Sequence, residues 1–251
     1  MAQPTLCSCS GFLTQLLSLS AMPDFDGSDC FEKYLALRKR APAAFENPSG
    51  SIYEILIDPT QIALAQQRAR DVRSRNGMSI VDLRVGLLAD DPYVRVMREA
   101  VRFPDGSLGL YNRVMVIPGV AVLPVMNGHI AVMRRFRHGT RTWHFEIPRG
   151  CVDGDSNFTA DAERELFEEI GARPKHMTGL GMLHSSTGCL NETYHLFLAD
   201  IDGIGDLETH EAITEVRLLQ KSEMEAMIVD GRITDGPTLV AFLRAKLAGL
   251  V

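Results

Sequence analysis

The sequence predicts an α+β sandwich, and three observations carry that prediction. Two turn signals, Pro104-Asp105-Gly106 and Asn127-Gly128, each sit between segments with a strand-like period. A helix-period segment, Phe158–Ile170, is bounded by Asn157 and Gly171, residue types suited to an N-cap and a C-cap. More strand-like segments follow it, and then two terminal helical segments. With 251 residues, 45% of them hydrophobic and 23% charged, the chain can form one large domain or a domain with a smaller companion. These proportions exclude disorder, collagen-like repeats and a bare coiled coil.

Taken in order, residues 1–45 read as a variable lead-in, closed by the turn-rich stretch 46–51. Ser51–Ile57 reads as a short strand. Pro59 opens a helix to about Arg75, stopped by Asn76-Gly77. Arg68, Arg70, Arg73 and Arg75 on that helix read as a solvated face, because Asp71 interrupts the basic run. Val94–Phe103 and Leu108–Ile117 flank the first turn signal, and Gly119–Met126 and His129–Phe136 flank the second. Trp143–Ile147 is a further short apolar strand. Beyond the acidic helix, strands are expected at Met177–Leu183, Thr193–Ala199 and Ala212–Leu219. Ser222 and Glu225 have the spacing of a capping box, and a last helix follows Asp235-Gly236-Pro237.

A net charge of −6 is a poor match to a nucleic-acid backbone, and no apolar run reaches the roughly 18 residues of a membrane span. The first 32 residues contain no Lys or Arg, so the stretch Gly11–Met22 lacks the basic segment of a secretory signal. It reads as an extension, with a start at Met22 as the alternative. Five scattered cysteines fit reduced thiols in a cytoplasmic protein. Cys7 and Cys9 form one close pair without a second, and the seven histidines form no HxH or HExxH pattern, so a zinc site has little support.

The chemistry is concentrated in Gly150–Ala172. Five acids fall within Asp161–Glu169, opposed only by Arg164. A helix advances about 100° per residue, so Glu165, Glu168 and Glu169 share one face, while Leu166, Phe167 and Ile170 lie on another that can enter a core. Three stacked carboxylates repel one another and call for positive charge. An all-oxygen set suits Mg²⁺ or Mn²⁺, above all where substrate phosphates complete the shell. Such a run alone is common on solvated helices; its flanks decide otherwise.

Those flanks resemble the Nudix hydrolase box, G-x5-E-x7-R-E-U-x-E-E-x-G-U, where U is a bulky aliphatic residue. Gly150 and Arg164-Glu165-Leu166-Phe167-Glu168-Glu169-Ile170-Gly171 match it. Ser156 replaces the first glutamate, with Asp155 beside it, and Ala172 replaces the last aliphatic residue. Arg134-Arg135-Phe136-Arg137 and Trp143-His144-Phe145-Glu146-Ile147-Pro148-Arg149-Gly150 are similar to the ADP-ribose pyrophosphatase branch, as are the loop from Ser185 to Glu192 and the stretch Glu208–Val216. Thr187 and Arg149 stand where that branch carries proline and alanine.

The resemblance implies a Nudix-type α/β/α sandwich with a mixed sheet (118–251), a smaller N-terminal β-containing subdomain (51–117) and a variable extension (1–50). It implies metal-dependent hydrolysis of a nucleoside diphosphate linked to another group. ADP-ribose, giving AMP and ribose 5-phosphate, is the first substrate. Nucleotide sugars such as GDP-mannose, or nucleotide sensing without cleavage, are the alternatives. Glu165, Glu169 and Glu168, with the carbonyl of Arg149, are the implied ligands of Mg²⁺ or Mn²⁺, and Arg164 would fix the carboxylates. Glu211, or failing it Glu208, is the candidate general base, unless both are solvated loop acids. Arg137 is the candidate phosphate contact and Glu146 the candidate acceptor for base or ribose, unless the two form a strand-edge salt bridge. A homodimer through the N-terminal strands is expected, with neither nucleic acid nor membrane as partner.

Overall fold

The computed structural model describes residues 27–47, 52–153, 157–208 and 210–251. The N-terminal part contains α1 (Gly27–Arg40), a 3-10 turn (Pro42–Ala44), β1 (Glu54–Leu56), α2 (Pro59–Arg75), β2 (Gly86–Asp90), β3 (Val94–Arg102) and β4 (Leu108–Val116). Strand β3 organises a four-stranded antiparallel sheet. It pairs with β4 along its whole length, and its other edge takes β2 near the start and β1 near the end. Successive side chains of β3 point to opposite faces. Met97 therefore joins Tyr34, Leu37 and Phe45 in one core, and Ala100 joins Leu56, Ile62 and Ala65 in another. The sequence reading left residues 27–45 outside any core, yet α1 packs here. Gly86 makes the contact: its φ is +131°, and a Cβ there would lie 2.5 Å from the Cys30 carbonyl oxygen.

The rest of the chain builds a seven-stranded mixed sheet from β5 (Gly119–Met126), β6 (His129–Arg137), β7 (Thr142–Glu146), β8 (Arg149–Cys151), β9 (Pro174–His184), β10 (Thr193–Ile201) and β11 (Ile213–Leu219). The order is β11-β6-β5-β10-β9. The β5–β10 pair is parallel and the others are antiparallel. Helix α3 (Phe158–Ile170) covers one face, where Ala162, Leu166 and Ile170 meet Val120, Val122 and Met133. Helices α4 (Lys221–Val229) and α5 (Gly236–Leu247) cover the other, where Met224, Met227, Ala241 and Phe242 meet Ala121, Leu123 and Val132. The α/β/α arrangement thus follows from strands apolar on both faces, as buried strands require.

One departure from regular pairing positions the site. Asn127 and Gly128 both have positive φ, 51° and 76°, and close a tight turn between β5 and β6. Those strands pair only beside that turn, at Val125–Ile130 and Met126–His129. They then diverge. Strand β7 pairs with the far half of β6, and β8 pairs with the near end of β5. The connecting residues Ile147 and Pro148 bridge the split, with the Val122 N–H donating to the Pro148 carbonyl at 2.9 Å.

Most expected elements form at or near their expected bounds, with three corrections. Ser222 and Glu225 form no capping box: α4 starts at Lys221, its N-cap Gln220 makes no side-chain cap bond, and Glu225 pairs with Lys246 instead. Phe167 stays 45% exposed rather than entering the core, with the Arg173 guanidinium over its ring. Strands β2 and β8 were not expected, β8 because three residues carry no legible period. Cys7, Cys9, the stretch 11–22, Asp155 and Ser156 lie outside the described residues. No helix among the described residues is long and apolar enough to cross a membrane.

Candidate active site

Helix α3 starts where Asn157 accepts from the Thr159 and Ala160 N–H groups, and it ends at Gly171 in the left-handed conformation. Its apolar stripe fixes the helix roll, and that roll decides the fate of each carboxylate. Glu169 (1% exposed) and Glu165 (7%) turn toward the split between β5 and β6, whereas Glu168 remains in solvent. Buried carboxylates need partners. The Arg135 guanidinium donates to Glu169 Oε1, and the Arg149 backbone N–H donates to Glu169 Oε2 at 2.9 Å. Arg164 reaches Glu165 at 2.8 Å and Glu168 at 2.9 Å, and donates to the Cys151 carbonyl at 2.9 Å. It also lies within 3.6 Å of Asp161. Arg164 thus ties the helix to β8 and contacts two of its acids.

Burial pushes Glu169 up to about 7, against the pull of Arg135, and it also raises Glu165. Among the described residues no three Cys, His, Asp or Glu side chains converge to hold a metal ion; arginines meet the carboxylates instead. The donor chemistry still suits a hard cation, because Glu165, Glu168, Glu169 and the Arg149 carbonyl offer oxygen alone. Gly150 keeps room for the Glu165 carboxylate: a Cβ there would lie 2.2 Å from it. The Glu165 side chain can swing away from such a Cβ, so Gly150→Ala is expected to fold normally. Activity should fall about 10- to 100-fold, as when a group supporting a metal ligand is lost. Parallel melting curves and initial rates check this, and full activity would free Glu165 of its role.

On the other side of the split, Glu146 is fully buried. Arg137 Nη2 lies 2.6 Å from it, Arg149 Nη2 3.6 Å and Arg135 Nε 4.0 Å. Neither Glu146 oxygen has a partner in hydrogen-bond geometry, and Arg137 Nε and Arg149 Nε also lack one. Arg137 and Glu146 do pair, yet the pair is interior and flanks a cavity of about 350 Å³ that Arg149, Asp235 and Thr234 also line. The Arg149 side chain does not point to solvent. It donates to the Tyr194 hydroxyl at 2.8 Å and meets Asp235, the N-cap of α5, at 3.0 Å.

The two loop acids differ. Glu211 pairs with Arg135, which carries it beside Glu169, and its side chain stays 42% exposed. Glu208 turns to its own loop and accepts from the His210 N–H at 2.6 Å, while its backbone N–H reaches the Glu169 carbonyl at 3.2 Å. Arg135, Tyr194 and Asp235 were missed by sequence reasoning. Arg135 was legible in part: it shares a strand face with Arg137, two residues on. Tyr194 comes from a distant segment and left no local signal, and Asp235 was read only as part of the start of the last helix.

A NUDIX domain model matches residues 115–239. Over 157 residues the chain is 26% identical to CMP-5'-(N-acetyl-N-hydroxy-3-aminopropyl)phosphonate hydrolase of Streptomyces rubellomurinus, spanning 61% of this chain and 76% of that one. It is 30% identical over 135 residues to GDP-mannose pyrophosphatase of Yersinia enterocolitica, covering 50% and 70%. It is 33% identical over 103 residues to ADP-ribose pyrophosphatase of Bacillus subtilis, covering 41% and 56%. A crystal structure of an ADP compounds hydrolase superposes with a TM-score of 0.58 at 20% identity, covering 67% of this chain and 94% of that one, which shows a shared fold. Enzymes of this family generally need divalent cations. The family match, the relatives and the helix with its buried glutamates agree: this chain belongs to the Nudix family and is a Nudix hydrolase.

Proposed function

We propose that the chain is a Mg²⁺- or Mn²⁺-dependent pyrophosphohydrolase of nucleoside diphosphate derivatives, with ADP-ribose as leading substrate and AMP and ribose 5-phosphate as products. The observation that carries the reading is Glu169, a buried acid held between Arg135 and the Arg149 N–H, one turn from Glu165. Glu165, Glu168, Glu169 and the Arg149 carbonyl would hold the ion. When bound, a divalent ion supplies Lewis acidity toward phosphoryl oxygens and offsets the charge of the diphosphate. Arg164 keeps Glu165 and Glu168 oriented. Arg137 takes a phosphate oxygen, and Glu146 accepts hydrogen bonds from the substrate. Glu211 is the general base, since Arg135 holds it beside Glu169; Glu208 is second because its carboxylate is turned to its own loop.

GDP-mannose and other nucleotide sugars are the second reading, favoured by the 30% identity to a GDP-mannose pyrophosphatase. Residues 51–117 are proposed as the dimerisation part, supported by the sheet they form with β3 at its centre. The free thiols Cys30, Cys151 and Cys189 support a reducing cytoplasm.

A phosphate-release screen with a coupled phosphatase tests the function. ADP-ribose, GDP-mannose, a dinucleoside polyphosphate and NADH are each incubated with Mg²⁺, with Mn²⁺ and with chelator. Cation-dependent release, fastest from ADP-ribose, is expected. Release from GDP-mannose alone would select the second reading. Binding without release from any of them would overturn hydrolysis in favour of nucleotide sensing.

A further inference from the structure

The cavity of about 350 Å³ beside Arg149 is at the small end of ligand sites, and its walls are unusual. Arg137, Arg149, Glu146 and Asp235 supply two charges of each sign. The remaining described residues that line it are Thr140, Thr234, His144, Gly139 and Gly236; none has an aliphatic side chain, and His144 is the one ring. A nucleobase would want an aromatic or aliphatic side chain against each of its faces, and His144 offers one ring only. A further phosphate would want an excess of positive charge. A hydroxyl group both donates and accepts, so a group bearing several hydroxyls can meet carboxylate and guanidinium at once.

We propose that this cavity takes the uncharged, hydroxyl-rich sugar part of the substrate, and that the Arg149 side chain is the residue that selects it. The proposal rests on the diphosphate reading above and deepens it. Arg149 is suited to both ends of the site. Its backbone N–H holds Glu169 at 2.9 Å, while its guanidinium is fixed by Tyr194 at 2.8 Å and Asp235 at 3.0 Å. A guanidinium held in place before the ligand arrives loses little freedom on binding. The ADP-ribose branch, which the sequence resembles, carries alanine here, so the selecting group belongs to this chain's own sequence. Replacing Arg149 by alanine would widen the cavity and leave Glu146 and Asp235 facing only Arg137.

The test is calorimetric binding of two probes, ribose 5-phosphate and inorganic phosphate, whose difference isolates the sugar. The wild-type protein should bind ribose 5-phosphate at least about tenfold more tightly, roughly one well-made charged hydrogen bond. Arg149→Ala should erase most of that margin. Thr234→Val removes one lining hydroxyl without touching β8, and should reduce the margin about threefold. It keeps the test decisive if Arg149→Ala fails to fold. No margin in the wild type, or an unchanged margin in the folded variants, overturns the proposal. Binding needs no turnover, so the two readings fail separately. Selective ribose 5-phosphate binding without diphosphate hydrolysis sinks the proposed function alone. Hydrolysis of ADP-ribose without a sugar margin sinks this inference alone.

Discussion

Glu169→Gln leaves the protein folded and lowers turnover about a thousandfold or more. The side chain is 1% exposed and its two oxygens hold Arg135 and the Arg149 N–H, so an isosteric amide keeps the volume and changes only charge and donor pattern. What it removes is the proposed anionic ligand, and loss of about 4 kcal/mol of charge stabilisation corresponds to roughly a thousandfold in rate. Steady-state kinetics at saturating Mn²⁺ check this. The same variant has a second signature. Burial puts folded Glu169 at about 7, above the ordinary 4.5, so the fold favours the protonated acid. Stability from this group is full below the unfolded value and is lost as pH rises through about 7. In chelator the Gln variant, which cannot ionise, should therefore gain in melting temperature relative to wild type as pH rises from 5 to 8. A gap that narrows over that range would contradict the burial argument.

Arg135→Leu is expected to be the most destabilising single substitution at the site. Arg135 is 8% exposed and faces Glu169, Glu146 and Glu211. Leucine fills part of the space and leaves two buried carboxylates with less positive charge. Removing one partner of a buried ion pair costs about 3–5 kcal/mol, and at this chain length each kcal/mol lowers the melting temperature by roughly 2–4 °C. Scanning calorimetry should show a corresponding fall at pH 7.5, and a smaller one near pH 5, where Glu169 takes up a proton. A loss below 1 kcal/mol at pH 7.5 would mean that the acids find other partners.

The fold was legible where the chain speaks locally. Asn127-Gly128 specifies a tight turn by residue type, and Asn157 and Gly171 bound α3 because one can accept from free N–H groups and the other tolerates a left-handed backbone. The face of α3 was legible from its period. What the period could not tell was depth: Glu168 shares that face yet stays in solvent, and Phe167 stays exposed. The contacts of Arg164 are local: its partners lie on its own helix, on β8 or at Asp153 just after it. The rest of the network is not. Arg149 meets Tyr194 and Asp235 across 45 and 86 residues of sequence, through a split between β5 and β6 that no pairing rule announces. Helix α1 escaped notice because its contacts form only once β2, itself unexpected, presents Gly86.

Uptake of manganese by this site can be followed directly, by electron paramagnetic resonance of the free ion during titration of chelator-treated protein. The wild-type protein should bind Mn²⁺, and Glu165→Gln and Glu169→Gln should each weaken that binding by about tenfold or more. Equal uptake by wild type and both variants would contradict the claim that these two buried glutamates are what the fold assembles to hold a cation.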